Sequence, residues 1–290
     1  MAGARGHTET FRVAGAELGC RLTAGRRMLP GFLVIGGKRC GSTSLFEYIL
    51  RHPAVLAPRV TKGTHYFDVN YPRGRTWFRS KFPTVGAADR LADRLGVEPL
   101  TGEASPYYLS HPCAPGRIAA ALPQPRLIAV LRNPVERAWS HYRYSVQQGF
   151  EDLPVDEALD REAERLAGEE DRLRRDPDYA GFSFRHYGYF ARGLYARHLT
   201  AFYDLFPAEH VLVLRSEDLF ASPHAVMDHV FDFLALPPTP IGPLPVYKAG
   251  LVQSEMPVRV RKRLEEAYAD PIRELRALAG VDFEERSGRG

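Results

Sequence analysis

The residues best suited to chemistry form a glycine-bearing loop after a short apolar segment. This loop reads Gly36-Gly37-Lys38-Arg39-Cys40-Gly41-Ser42-Thr43 and has the spacing of a phosphate-binding loop. Backbone N–H groups at the start of a helix bind anions, and hydroxyls there can donate too. Ser42 stands where nucleoside triphosphatases carry lysine, and Lys38 and Arg39 place charge inside the loop instead. The loop predicts a phosphate-bearing ligand other than a nucleoside triphosphate, although a plain strand-to-helix turn with a serine cap shares this pattern.

A second candidate site follows the most apolar segment of the chain, residues 126–131. Arg132 is expected at the carboxyl end of that strand, where ligands bind in open α/β sheets. Ser140 lies about two helical turns further on, so its hydroxyl and the guanidinium could share one anion. Arg132 could equally pair with a carboxylate, and Ser140 would then be an incidental helix residue. The segment predicts a second phosphate contact.

The elements that must position these residues alternate between short apolar and amphipathic segments. Strands are predicted at 32–35, 99–103, 126–131 and 211–214, and helices at 42–51, 134–148, 195–206, 225–234 and 259–278. This alternation predicts a single α/β domain with a P-loop-like, mostly parallel sheet and helices on both faces. Residues 1–30 are predicted to be an irregular lead-in and 31–285 the domain. The charged residues 151–180 are predicted to be a solvated insertion or a lid outside the core.

Composition limits the class of protein. The chain has 290 residues, of which 44% are hydrophobic and 26% charged, as in a globular protein. Its net charge of +4 and its 35 acidic residues disfavour a nucleic-acid binder. Three separated cysteines suggest neither a disulfide framework nor a thiolate zinc site and favour the cytoplasm. The pattern predicts neither a membrane span nor an acidic cluster that would hold a metal.

An ordered set of motifs resembles the sulfotransferase family, and in particular its bacterial members and carbohydrate-acting branch. Residues 32–48 and 127–144 resemble the two motifs that bind 3′-phosphoadenosine 5′-phosphosulfate (PAPS). Further matches are Lys62-Gly63-Thr64-His65-Tyr66-Phe67-Asp68, Gly102-Glu103-Ala104-Ser105-Pro106-Tyr107-Tyr108 and Arg215-Ser216-Glu217-Asp218-Leu219. The resemblance implies that the co-substrate is bound by Lys38, Arg39, Cys40, Gly41, Ser42, Thr43, Arg132, Ser140 and, in a basic C-terminal loop, Lys248.

The resemblance also implies an activity. A sulfuryl group would pass from PAPS to a hydroxyl or amine of a glycan, glycolipid or secondary metabolite, without a metal, leaving 3′-phosphoadenosine 5′-phosphate (PAP). Family members usually carry lysine at the position of Arg39, so Arg39 would supply charge and Lys38 could share the role of proton donor. The sequence leaves the identity of the acceptor and the oligomeric state open.

The general base is a second part of the implied site that departs from the family pattern. The glutamate that carbohydrate sulfotransferases use as base is replaced here by Gly63. His65 is the predicted base, oriented by Asp68, because imidazole titrates near neutral pH. Glu103 is the reserve candidate, and a hydrogen-bonded structural role is the alternative for His65.

Two other functions compete with this interpretation. A P-loop kinase would require lysine at position 42 and an aspartate that holds magnesium after a strand, and the sequence shows neither. A nucleotide-binding protein without catalysis would bind the same anion and would need no base.

Overall fold

A parallel four-stranded sheet organises the protein, in a computed structural model that describes residues 20–60, 63–245 and 255–283. The strands are β1 (Phe32–Gly36), β2 (Gly102–Ala104), β3 (Arg126–Leu131) and β4 (Val211–Arg215), in the order β2-β1-β3-β4. Every pairing between them is parallel. The predicted positions of β1, β3 and β4 are therefore confirmed, and the predicted α/β class is correct.

The second predicted strand is shorter than the sequence suggested. It pairs with β1 only from Gly102 onward, whereas the prediction began at residue 99. Leu100 instead forms an isolated bridge with Val55, and the Thr101 hydroxyl donates to Leu56 O at 2.8 Å. Residues 99–101 thus contact the segment after the first helix, and Thr101 O still accepts a hydrogen bond from Gly31 N at 2.9 Å.

Helices cover both faces of the sheet. In the described residues they are α1 (Ser42–Ile49), α2 (Gly74–Arg79), α3 (Val85–Leu95), α4 (Ala114–Ala121), α5 (Pro134–Gln147), α6 (Val155–Asp160), α7 (Glu162–Leu166), α8 (Glu169–Arg175), α9 (Phe182–His186), α10 (Tyr195–Tyr203), α11 (Ser216–Ala221), α12 (Pro223–Phe233) and α13 (Val258–Ala279). Alternate strand residues point to opposite faces. Leu33 and Leu127 therefore pack with α4 and α10, while Val34 and Ile128 pack with α1 and α12.

The charged segment 151–180 is more closely packed than its composition suggested. It forms α6, α7 and α8, and the prediction that it lies outside the core is wrong for Glu151, Glu162 and Leu173, which are all buried. The Glu162 carboxylate accepts hydrogen bonds from the backbone N–H groups of Phe190 and Ala191, both at 2.7 Å. A carboxylate can be buried when protein donors replace its water. The charged composition of the segment therefore did not indicate which of its residues are buried.

Candidate active site

The glycine-bearing loop turns between β1 and α1 at the carboxyl end of the sheet. Gly36 packs so closely on Leu109 that a Cβ at position 36 would lie 2.5 Å from the Leu109 Cβ. Gly41 has φ of +89°, a conformation that glycine adopts without strain. Gly37 N donates to Val130 O at 2.5 Å, which ties the loop to the neighbouring strand β3.

The N-terminus of α1 is open to an anion. No side chain caps it, and its first turn contains no acidic residue. The first N–H groups of a helix have no intrahelical partner, so here they remain donors for a ligand. The next helix of the site, α5, differs because the Asn133 side chain accepts from Val135 N at 3.0 Å and Glu136 N at 3.4 Å. The anion cradle therefore belongs to α1, and α5 contributes side chains.

The structure brings the loop and the second predicted segment together. Arg39 Nε donates to Ser140 Oγ at 3.1 Å, and the Arg39 guanidinium lies 5.0 Å from the centre of the Tyr144 ring. Arg132 Nη2 is 3.7 Å from Glu136 Oε2, a loose pair in which the arginine side chain is 35% exposed. Glu136 is closer to Arg261, at 2.8 Å. The Arg132 guanidinium can therefore still bind a ligand. The alternative from the sequence, in which Arg132 pairs with a carboxylate, is partly present as the loose contact with Glu136.

Cys40 faces away from this site. Its N–H donates to Gly37 O at 3.2 Å, and its fully buried thiol lies 3.8 Å from the Tyr195 hydroxyl. Burial raises the pKa of the thiol, which keeps it protonated and unreactive. Cys40 therefore shapes the loop, whereas Gly41, Ser42 and Thr43 stand at the open end of α1.

Lys38 and Arg39 point to different places although they are adjacent. Lys38 Nζ lies 3.0 Å from His141 Nε2 and donates to Arg185 O at 3.1 Å. Burial, together with the positive charge of Arg192 and other arginines, holds the pKa of Lys38 well below its usual range. Burial and Lys38 likewise lower the pKa of His141, so His141 accepts this hydrogen bond as a neutral ring.

His65 and Asp68 form the predicted pair. His65 Nδ1 is 2.8 Å from Asp68 Oδ2, and the Asp68 side chain is fully buried while that of His65 is 31% exposed. A carboxylate only accepts, so Nδ1 carries the proton and Nε2 keeps its lone pair for a substrate proton. The His65 backbone has φ of +50°, and its N–H donates to Ser105 Oγ at 3.0 Å.

Glu103 is buried beneath the segment that carries His65. Its carboxylate accepts from the Tyr108 hydroxyl at 2.6 Å, from the Ser105 hydroxyl at 3.2 Å and from Thr64 N. Burial raises the pKa of Glu103, whereas the hydrogen bonds from Tyr108 and Thr64 act in the opposite direction. These donors satisfy the oxygens of the buried carboxylate. The arrangement favours a role in positioning His65 over the reserve role of general base.

The position of the absent glutamate is closed by the backbone. A Cβ on Gly63 would lie 2.1 Å from both Ala104 O and Ser105 Oγ, far inside van der Waals contact. The glycine is therefore required by this packing and does not leave a space that a glutamate could refill.

We expect Gly63→Ala to lower the free energy of unfolding by about 1–3 kcal/mol, because the added methyl must push β2 away. Urea unfolding followed by circular dichroism measures the change. Gly116→Ala is the matched control, since Gly116 lies in α4 with no atom within 4 Å of the added Cβ. Equal stability of the two variants would contradict this account, and Gly63→Glu should not gain activity.

Several residues of the site were not predicted. The centre of the Tyr144 ring lies 5.4 Å from Lys38 Nζ and 5.0 Å from the Arg39 guanidinium, and its spacing of four residues from Ser140 on α5 is the signal that could have indicated it. Arg192 has no comparable local signal, although its charge acts on both Lys38 and Asp68.

The hydrogen bonds of the described residues do not join His65 to Lys38 or Arg39. Lys248 lies outside the described residues.

Residues 20–60, 63–245 and 255–283 contain no group of three or more histidine, cysteine or acidic side chains that could hold a metal ion. Over the same ranges, no helix is both long and apolar enough to cross a membrane.

Comparison with known proteins gives consistent matches over most of the chain. The family model described as the sulfotransferase domain matches residues 29–267. Human heparan sulfate glucosamine 3-O-sulfotransferase 6 is 31% identical over 220 residues, which cover 73% of this chain and 54% of that enzyme. The membrane-associated sulfotransferase kil1 of Dictyostelium discoideum is 27% identical over 271 residues, covering 71% of this chain and 56% of that protein.

A solved structure shares the fold. The crystal structure of a sulfotransferase from Alicyclobacillus acidocaldarius superposes with a TM-score of 0.62 at 29% identity, covering 88% of this chain and 97% of that one. By contrast, this chain spans about half the length of the curated relatives that it matches.

Proposed function

From the premise that this chain belongs to the sulfotransferase family, whose domain covers residues 29–267, we propose that it transfers a sulfuryl group from PAPS to a hydroxyl or amine of a glycan, glycolipid or secondary metabolite. The observation that carries the proposal is the hydrogen bond of 3.1 Å from Arg39 to Ser140. It joins two anion-binding segments that follow adjacent parallel strands, β1 and β3. A ligand with phosphate groups at two ends fits such a site better than one with a single phosphate.

The residues present fit the two ends of PAPS. The uncapped N-terminus of α1, with Ser42 and Thr43, would hold the 5′-phosphate of the phosphosulfate. Arg132 and Ser140 would hold the 3′-phosphate, since a guanidinium binds phosphate through two parallel hydrogen bonds. When bound, PAPS supplies an activated sulfuryl group.

Four side chains would carry the chemistry of transfer. His65 Nε2 takes the proton of the acceptor as its oxygen or nitrogen bonds to sulfur, and Asp68 stabilises the charged ring. The bond from sulfur to the leaving phosphate oxygen breaks, and Arg39 stabilises the negative charge that develops there. The lowered pKa of Lys38 makes it the better proton donor of the two loop cations at neutral pH.

Calorimetric titration with PAP, the product nucleotide, tests the proposal directly. In the absence of magnesium, PAP is expected to bind more tightly than ATP, because the loop lacks the lysine that reaches the outer phosphates. Arg132→Ala should weaken PAP by about 10- to 100-fold, the loss expected for charge-assisted hydrogen bonds.

Arg126→Ala is the matched control, because Arg126 begins the same strand β3 at its opposite end. A preference for ATP, or PAP affinity indifferent to Arg132, would place the kinase alternative first. Binding of PAP without turnover of any acceptor would favour the non-catalytic alternative. A cytoplasmic location stays a prediction from the sequence.

A further inference from the structure

The first turn of α13 carries arginines that an isolated helix would disfavour. Arg259 and Arg261 lie near its N-terminus, where the helix dipole opposes cations, and no acidic residue lies in the same turn. Both side chains instead pair with carboxylates of other helices. Arg259 Nη2 is 2.6 Å from Asp156 on α6, and Arg261 Nη2 is 2.8 Å from Glu136 on α5. The two arginines therefore serve tertiary contacts, and the contact of Arg261 reaches the proposed nucleotide site.

Glu136 faces two arginines, one with each carboxylate oxygen. Its Oε1 contacts Arg261, whereas its Oε2 is 3.7 Å from Nη2 of Arg132, the proposed ligand of the 3′-phosphate. The distance of 2.8 Å is that of a charge-assisted hydrogen bond, and 3.7 Å is longer than a hydrogen bond. Glu136 is thus held mainly by Arg261 and makes the weaker contact with Arg132.

The position of Glu136 favours the helix and disfavours the ligand. Glu136 is the acidic residue in the first turn of α5, where the helix dipole stabilises a carboxylate. The same negative charge lies beside the cation that would bind the 3′-phosphate, and like charges repel each other. Among the residues that the structure describes, no other carboxylate pairs with the Arg132 side chain. Glu136 is therefore the group that competes with the 3′-phosphate for Arg132.

Two further carboxylates lie near these arginines. Glu217 Oε1 accepts from Asn133 N at 2.9 Å, and its buried Oε2 has no partner in the described part of the chain. Over the same residues, Glu217 forms no ion pair with Arg132 or Arg261. Glu265 lies 3.9 Å from Arg261 and is 57% exposed, so water screens this pair. Neither carboxylate occupies Arg132, and Glu265 competes only weakly for Arg261.

We propose that Arg261 is a positioning residue for the nucleotide, which holds the Glu136 carboxylate off Arg132 and keeps that guanidinium free for the 3′-phosphate. This inference rests on the proposed function. Without Arg261, the charge of Glu136 is uncompensated and the carboxylate can close on Arg132, four residues earlier in the chain. Without Glu136, Arg132 has no competitor and Arg261 adds a positive charge near the phosphate. The pair thus sets how strongly the site prefers a nucleotide with a 3′-phosphate.

The test compares two nucleotides that differ only in the 3′-phosphate. PAP and AMP are titrated in the calorimeter without magnesium, and the ratio of their affinities reports the contact with the 3′-phosphate. Arg261→Gln should lower this ratio about 3- to 10-fold and Glu136→Gln should raise it by a similar factor, while AMP affinity stays unchanged. Loss of a partly exposed ion pair costs little stability, so both variants should fold.

Combined and conservative variants make the test specific. The double variant with Glu136→Gln and Arg261→Gln loses the competitor together with its partner, so its ratio should return to within about twofold of wild type. Arg261→Lys keeps the positive charge and should retain most of the wild-type ratio. Arg263→Gln is the matched control, because Arg263 lies on the same helix, is 41% exposed against 43% for Arg261, and pairs with Asp160 on α6 at 2.7 Å.

The outcomes separate this inference from the proposed function. If wild-type protein binds PAP no more tightly than AMP, the proposed 3′-phosphate site fails and this inference fails with it. If wild-type protein prefers PAP but Arg261→Gln weakens PAP and AMP equally, or changes neither, only the role of Arg261 is overturned. A double variant that binds PAP as weakly as Arg261→Gln would also overturn it, because Arg261 would then act on the phosphate without Glu136.

Discussion

Replacing His65 with alanine is expected to lower kcat by about 10²- to 10⁴-fold, the usual contribution of a positioned acid–base group. The Nδ1 bond of 2.8 Å to Asp68 fixes the ring with Nε2 as the proton acceptor. PAP affinity should not change, because the nucleotide phosphates are assigned to other residues. Initial rates with saturating PAPS, together with calorimetric PAP binding, measure the two quantities separately.

Two further variants make this result specific. Asp68→Asn should also lower kcat, because the amide can donate to Nδ1 and thereby favour the wrong tautomer. The loss should be smaller than for His65→Ala, because the imidazole itself is retained. His224→Ala is the matched control, since His224 is exposed on α12. Nearly full turnover by His65→Ala would assign His65 the structural role and would return attention to Glu103.

Replacing Arg39 with alanine should lower kcat by about 10²- to 10³-fold, as when one group that stabilises transition-state charge is removed. Arg39 is the loop cation that reaches Ser140, at 3.1 Å, whereas Lys38 turns toward His141. The variant loses charge at the leaving oxygen and a contact that joins the loop to α5. Single-turnover rates with bound PAPS separate the chemical step from nucleotide affinity.

Arg39→Lys provides the informative comparison for this prediction. It keeps the charge and adds a group that can donate a proton, so it should retain much more activity than Arg39→Ala. Arg161→Ala serves as the control, because Arg161 pairs with Glu157 at the surface. If Arg39→Ala were as active as the control, Lys38 alone would serve as the loop cation.

The sequence by itself determined the framework of this protein. Three of the four strands, the loop between β1 and α1, and the positions of Arg132 and Ser140 followed from apolar segments and glycine spacing. These features are local, because a parallel strand buried on both faces is apolar over its whole length and a loop that binds anions at a helix start needs glycine at fixed positions. The motif order then indicated the family.

Only the tertiary structure decided how the site is built. In the folded chain, Lys38 contacts His141, 103 residues away, and Arg39 contacts Ser140, 101 residues away. It also placed Ala104 where a side chain at position 63 would lie, and it assembled buried arginines from segments that are distant in the chain. Side-chain direction, burial and the pairing of charges depend on such long-range contacts, and neither residue type nor spacing specifies them.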